Sequence, residues 1–218
     1  MRALFLLPLL ACAPMPHVDP QPRSSFAASF TVARVDVLCS ELDPLDPGLS
    51  PDEGSPHQTW PTLVWGGGTG TGVVISERHV LTAAHVVACP VLPFVRVTLS
   101  DGRWFHANVE RDAGMFGDGT DLARLEISTA ETFGVGIAPP VIAPFIWNYA
   151  HWCAYTRHGP ACGMVADPAV PNFTGITRPG DSGSPVYDER GELVGLVVGG
   201  NALTTRIARV TPYWLEGT

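Results

Sequence analysis

Along Phe30 to Leu38 the chain reads Phe-Thr-Val-Ala-Arg-Val-Asp-Val-Leu, an alternation of apolar and polar positions that predicts an extended strand with one face turned inward. The same period returns through the chain in short runs. Thr62 to Trp65 and Val73 to Ser76 are predicted strands on either side of the glycine run Gly66 to Gly72. Val80 to Val87 runs a strand into a short helical turn that carries His85. Phe94 to Ser100 and Arg103 to Val109 alternate around Asp101-Gly102, a strong signal for a two-residue hairpin turn. Asp121 to Ile127 is a strand that opens on a carboxylate, Val186-Tyr187 and Leu193 to Val198 are further apolar runs, and Pro212 to Gly217 suits a brief helical turn. Helical periodicity is almost absent. Many short strands separated by turns predict an all-β protein of barrels or sandwiches, with a second β block from about Gly134 to Val210 that repeats the style of the first without repeating its sequence.

Composition narrows this picture. At 218 residues the chain can bury a substantial core, and 23 Gly with 21 Pro fit a turn-rich molecule. The net charge is −8, all thirteen basic residues are Arg, and no Lys is present. A phosphate-binding surface needs clustered cations, so nucleic acid is excluded as a partner. The glycine run lacks the Lys-Ser/Thr that would close a phosphate-cradling loop.

The N-terminus reads as residues 1–11, an export signal, and residues 12–25, a Pro-rich tether too poor in apolar residues to fold. Leu9-Leu10-Ala11-Cys12 resembles a bacterial lipobox and makes Cys12 the candidate for lipidation and a membrane tether. Ala11-Cys12-Ala13 also has the form of a signal-peptidase site, although Pro14 follows it; simple secretion is therefore the alternative to a periplasmic or cell-surface lipoprotein. Glu41 to Gln58 is an aperiodic loop whose acidic residues Asp43, Asp46, Asp52 and Glu53 match no calcium-ligand spacing, so it is read as solvated.

Three short stretches carry candidate chemistry: Thr82-Ala-Ala-His85, Asp121-Leu-Ala, and Gly180-Asp-Ser182-Gly-Ser-Pro185. Each alone is unremarkable, since a single histidine is ordinarily core or surface and Gly-Asp-Ser-Gly can be merely a turn. Together, and in this order, they resemble the His, Asp and Ser motifs of the trypsin-like, chymotrypsin-fold serine peptidases. Gly70-Thr-Gly-Val-Val-Ile-Ser76, Val80 to Val87, the Leu99 to Arg103 hairpin and Gly191-Glu-Leu-Val-Gly195 bring the nearest likeness to bacterial HtrA-like and glutamyl-endopeptidase-like branches, without a PDZ domain. The resemblance spans about Trp60 to Val210.

That resemblance implies two six-stranded antiparallel β-barrels with the active site between them, the first over residues 26–132 with His and Asp and the second over residues 133–218 with Ser. It implies a serine endopeptidase in which His85 takes the proton of Ser182, Asp121 fixes the imidazole, and the N–H groups of Gly180 and Ser182 form the oxyanion hole. Asp181 is expected to be structural. In family members activated by cleavage it meets a new N-terminus, and here Arg124, Arg157 and Arg178 are the cations considered for it.

By the same resemblance Ile176, Thr177, Gly200 and Thr205 frame the primary pocket, and Val198, Gly199 and Gly200 belong to a strand that pairs with an extended substrate. No acid stands at the pocket base, and Val197 replaces the histidine of glutamyl-specific members. Cleavage after a small or medium apolar residue is therefore expected. The expected partner is a protein or peptide substrate, with no cofactor and no metal, and the expected state is a monomer. A catalytically silent peptide-binding module and a self-processing protease are the alternatives.

With Cys12 set aside, Cys39, Cys89, Cys153 and Cys162 allow three pairings. An exported chain favours Cys39 with Cys89 and Cys153 with Cys162. The rival is a structural zinc site from His151, Cys153, His158 and Cys162. His17, His57, His79 and His106 are read as loop or strand-face residues, and Asn172-Phe-Thr174 is a glycosylation sequon.

Overall fold

The computed structural model describes residues 32–39, 66–89, 93–112, 120–128, 132–134, 140–143, 151–167 and 170–216. The export signal, Cys12, the tether, the acidic loop and the strand expected over Thr62 to Trp65 lie outside the described residues.

The described chain forms two closed antiparallel barrels of six strands each. The first comprises β1 (Val32–Cys39), β2 (Gly66–Val74), β3 (His79–Thr82), β4 (Pro93–Thr98), β5 (Trp104–Asp112) and β6 (Ala123–Ile127), with a one-turn helix α1 (Ala84–Val87) after β3. The second comprises β7 (His151–Thr156), β8 (Gly159–Asp167), β9 (Val170–Phe173), β10 (Pro185–Tyr187), β11 (Leu193–Gly200) and β12 (Thr205–Arg209). Around the first barrel the order is β1-β2-β3-β6-β5-β4, and around the second it is β7-β8-β9-β12-β11-β10. These are the same topology executed twice, which no internal sequence repeat announces. Closure pairs each strand with a neighbour on both sides over part of its length and leaves a lumen narrow enough for side chains to fill.

Alternation explains the cores. Val35, Val37, Val73, Leu81, Val95, Val97, Leu125 and Ile127 fill the first barrel. Trp152, Ala154, Phe173, Val186, Val197 and Ile207 fill a smaller cluster in the second. Neighbours of opposite parity in the second barrel, Leu196 beside Val197 and Ala208 beside Ile207, join the first cluster instead, together with Trp214. One face of β11 and β12 thus lines its own barrel while the other is packed into the larger cluster that begins in the first. The C-terminal 3-10 turn, Pro212–Leu215, returns to the first barrel: buried Arg124 of β6 binds the carbonyl oxygens of Trp214 and Glu216 and forms a bidentate pair with Glu110.

Three local expectations are corrected. The glycine run is itself strand β2, paired with all eight residues of β1. Its glycines are spaced for close approach: a Cβ on Gly72 would lie 2.6 Å from a Val80 methyl, and one on Gly70 would lie 2.6 Å from a Val86 methyl. The Asp101-Gly102 hairpin is wider than a two-residue turn. Leu99 N–H donates to the Arg103 carbonyl at 2.8 Å, leaving Ser100, Asp101 and Gly102 as a three-residue loop with Gly102 at φ 87°. Finally, β6 begins at Ala123, so Asp121 stands just ahead of the strand.

Both favoured disulfides are present, Cys39–Cys89 and Cys153–Cys162. The second joins directly opposed residues of the β7–β8 hairpin. It consumes both thiols of the alternative zinc set, and the two histidines of that set stand apart, His151 opening β7 and His158 in the turn beyond the strand's end. Two such bridges place the protein in an oxidising, non-cytoplasmic setting.

Candidate active site

β3 ends at Thr82, and Ala83 is extended before α1 turns His85 toward the β5–β6 connection. Asp121 receives it twice. His85 Nδ1 lies 2.7 Å from Asp121 Oδ2, and the His85 main-chain N–H donates to Oδ1 at 2.9 Å. The Asp121 carbonyl also accepts Ala84 N–H at 3.2 Å. With its carboxylate held by main chain and ring together, Asp121 fixes both the position and the plane of the imidazole. The carboxylate favours the tautomer with its proton on Nδ1, which leaves Nε2 as the basic nitrogen. The two side chains are 31 % and 15 % exposed, so the pair opens to solvent at one side only.

Ser182 arrives from the second barrel, on the loop between β9 and β10. Its carbonyl accepts Thr71 N–H at 2.7 Å, and Thr71 Oγ1 donates to the Gly180 carbonyl at 2.9 Å. Thr71 lies on β2 beside the pairing of Gly72 with Thr82, three residues before His85, and its own carbonyl accepts the Thr82 hydroxyl at 2.8 Å. The serine loop is therefore docked onto the strand pair that launches His85. Gly183, at φ 87°, makes that contact possible: a Cβ there would fall 1.8 Å from the Thr71 carbonyl oxygen.

The amides of this loop divide in two. Asp181 N–H binds the Arg178 carbonyl at 3.0 Å, Gly183 N–H the Val197 carbonyl at 2.7 Å, and Ser184 N–H the Asp181 carbonyl at 2.9 Å. Between them, the N–H groups of Gly180 and Ser182 have no acceptor among the described residues. Gly180 takes φ 88°, a conformation that costs an L side chain energy and costs glycine none. The two unclaimed amides thus flank a single residue, Asp181.

Thr177 Oγ1 and Thr205 Oγ1 are 3.0 Å apart, and Thr205 is fully buried. Since the Thr205 hydroxyl donates to the Gly175 carbonyl at 2.6 Å, its single proton is used and Thr177 must be the donor in the pair. Ile176 exposes 63 % of its surface, so it stands at the rim rather than the floor. On β11, Val197 is the last residue tied to the serine loop. Val198 is bulged out of register with β12, and Gly199 and Gly200 pair only with Arg206 and Thr205. Beyond Val197 one edge of β11 is thus open among the described residues.

Asp181 is buried, and its partner is none of the three guanidiniums considered from sequence. Its Oδ1 lies 2.8 Å from His158 Nδ1 and its Oδ2 accepts the main-chain N–H of Arg178 at 2.8 Å. Arg124 is instead committed to Glu110 and the C-terminal turn. Sequence reasoning had no local signal for His158, which reaches Asp181 only through the β7–β8 hairpin. The role of Thr71 was also missed, although the alternation of Gly and Thr through 68–72 is a mark of close backbone approach.

In a search of curated proteins, no match to the chain was found. The family model described as a trypsin-like peptidase domain matches residues 70–196, more than half of the chain, from the strand that receives the serine loop to the one that follows it. With its two six-stranded barrels and its His85, Asp121 and Ser182 segments in that order, the chain belongs to the trypsin-like peptidase domain family.

Proposed function

We propose that this protein is a serine endopeptidase in which Ser182 is the nucleophile, His85 the general base and acid, and Asp121 the group that orients His85. The observation that carries the reading is the double hold of Asp121 on His85, through ring and main chain at 2.7 and 2.9 Å. A module that only grips peptides has no need of an imidazole held for proton transfer.

In the reaction Ser182 Oγ attacks the scissile carbonyl carbon as its proton passes to His85 Nε2. The resulting oxyanion is received by the N–H groups of Gly180 and Ser182, each such donor contributing about 3 kcal/mol in comparable sites. His85 then gives its proton to the departing amine, the C–N bond breaks, and an ester to Ser182 remains. Water, deprotonated by His85, attacks that ester and returns the free serine and a carboxylic acid.

The substrate lies extended along Val198, Gly199 and Gly200, adding a strand to the open edge of β11. The residue before the cut faces Ile176, Thr177 and Thr205. No charged side chain stands among these three, and the two threonine hydroxyls already satisfy one another and Gly175. A small or medium apolar residue suits that surface, whereas a carboxylate would find only the lone pairs of Thr177. The enzyme is exported, either tethered through Cys12 or released, and acts as a monomer.

Labelling with a fluorophosphonate probe, followed by digestion of a peptide library, tests this reading. The wild-type protein should label at Ser182 and cut after apolar residues, and Ser182→Ala should do neither while keeping its fold. Peptidase activity surviving in Ser182→Ala, or strict cleavage after Arg, Lys or Glu, would overturn the corresponding part.

A further inference from the structure

We propose that His158 is a positioning residue for the nucleophile loop: by donating from Nδ1 to the buried carboxylate of Asp181 it sets the two amides on which the oxyanion depends. This rests on the serine-peptidase reading above and adds to it a residue outside the His85, Asp121 and Ser182 set.

Asp181 sits between Gly180 and Ser182 and is 2 % exposed. Its side chain closes the turn that shapes both neighbours: Oδ2 accepts Arg178 N–H at 2.8 Å while Asp181 N–H donates back to the Arg178 carbonyl at 3.0 Å. Oδ1 depends on His158, at 2.8 Å. A carboxylate so deeply buried is stable only when its lone pairs are met by donors. Deprived of His158, it gains by rotating toward water. The peptide units on either side carry the unclaimed N–H groups, so that rotation spoils their convergence.

His158 is well placed to act as a fixed anchor. It belongs to the two-residue connection Arg157-His158 between Thr156 and Gly159, which pair across the β7–β8 hairpin. Thr156 Oγ1 accepts His158 N–H at 3.0 Å and donates to the Gly159 carbonyl at 2.8 Å, locking the turn. Three residues down the ladder the Cys153–Cys162 bridge ties the same two strands. The His158 side chain is 37 % exposed, whereas the carboxylate it meets is buried.

The neighbouring guanidinium lies against the loop as well: a Cβ at Gly180 would lie 2.3 Å from an Arg157 Nη, so Arg157 packs over the glycine whose amide is unclaimed. One hairpin turn thus meets the loop at two consecutive residues: His158 bonds Asp181, and Arg157 packs over Gly180.

The test compares the full chain with His158→Ala, His158→Asn and His158→Gln, reading the maximal inactivation rate and the half-saturating concentration of a fluorophosphonate probe separately, beside a thermal melt. The Asn amide places a donor where Nδ1 stands, whereas the Gln amide reaches toward the Nε2 position. The maximal rate should fall about 10- to 100-fold in His158→Ala and His158→Gln, the range of a lost hydrogen bond to a charged group. Half-saturation should stay nearly constant, and His158→Asn should recover most of the rate. A wild-type rate in His158→Ala overturns the proposal. So do equal rates in His158→Asn and His158→Gln, a comparison that remains decisive if the alanine variant fails to fold. Wild-type protein that does not label at all removes the serine-peptidase reading, and this proposal with it.

Discussion

Asp121 binds His85 at two points 2.7 and 2.9 Å long, ring nitrogen to one carboxylate oxygen and main-chain amide to the other. Because the main-chain bond assigns one oxygen, the group facing the ring is dictated. In Asp121→Asn the amide oxygen must stay on the His85 N–H, which turns the NH2 toward Nδ1. Nδ1 then becomes an acceptor, Nε2 carries the proton, and the base points the wrong way. The maximal rate of peptide hydrolysis should fall by on the order of 10⁴, with the melting temperature nearly unchanged. A loss below about tenfold would show that the imidazole is oriented by something else.

Gly102 and Gly183 form a natural matched pair, both at φ 87°. Nothing lies within 4 Å of a Cβ on Gly102, whereas one on Gly183 would overlap the Thr71 carbonyl. Gly102→Ala should cost only the backbone strain, about 1 kcal/mol, and leave activity intact. Gly183→Ala adds the displacement of the serine loop from β2, so it should cost about 3 kcal/mol or more and abolish probe labelling. Urea unfolding of the two variants separates conformation from space.

Arg124 is a buried cation that joins β6 to the C-terminal turn through Glu110, Trp214 and Glu216. Arg124→Met should lower stability by about 2 kcal/mol, a figure moderated because Glu110 can turn to solvent. Arg124→Lys should recover less than half of the loss, since an ammonium cannot serve a carboxylate and two carbonyls in the fork geometry of a guanidinium. Unfolding midpoints at constant slope with denaturant measure both.

His79 accepts from or donates to Ser76 Oγ at 2.8 Å and lies near Glu110. Burial, and then the charge of Arg124, hold its pKa below the ordinary 6.5, outweighing the pull of Glu110 and Glu126. The folded state therefore prefers neutral His79. Its contribution to stability is complete above pH 6.5 and is lost as pH falls through the lowered folded value, because there the unfolded chain binds the proton first. Unfolding midpoints of wild type should drop between neutral and mildly acid pH more steeply than those of His79→Gln. Parallel pH profiles would contradict this.

Much of this protein was legible in its residues alone. Alternation in Phe30 to Leu38 and Phe94 to Ser100 announced strands, because a half-buried strand must repeat every second residue, and the ordered His85, Asp121 and Ser182 motifs pointed to the family. Local chemistry could reach that far. It could not show that Gly66 to Gly72 is a strand, since glycine's weak strand preference is overcome only by the seven ladder pairs these residues make with β1. Nor could it show that both barrels share one topology, which depends on pairings between distant segments.

The partner of Asp181 is the sharpest case. Sequence offered three arginines by charge, and the structure chose His158, 23 residues away, because the β7–β8 register and its disulfide put that ring beside the carboxylate. The residues proposed for the reaction lie in short motifs whose chemistry is local. What holds them in place was decided by tertiary structure, because a hydrogen bond between two barrels or two hairpins exists only once the chain has folded and its direction is fixed.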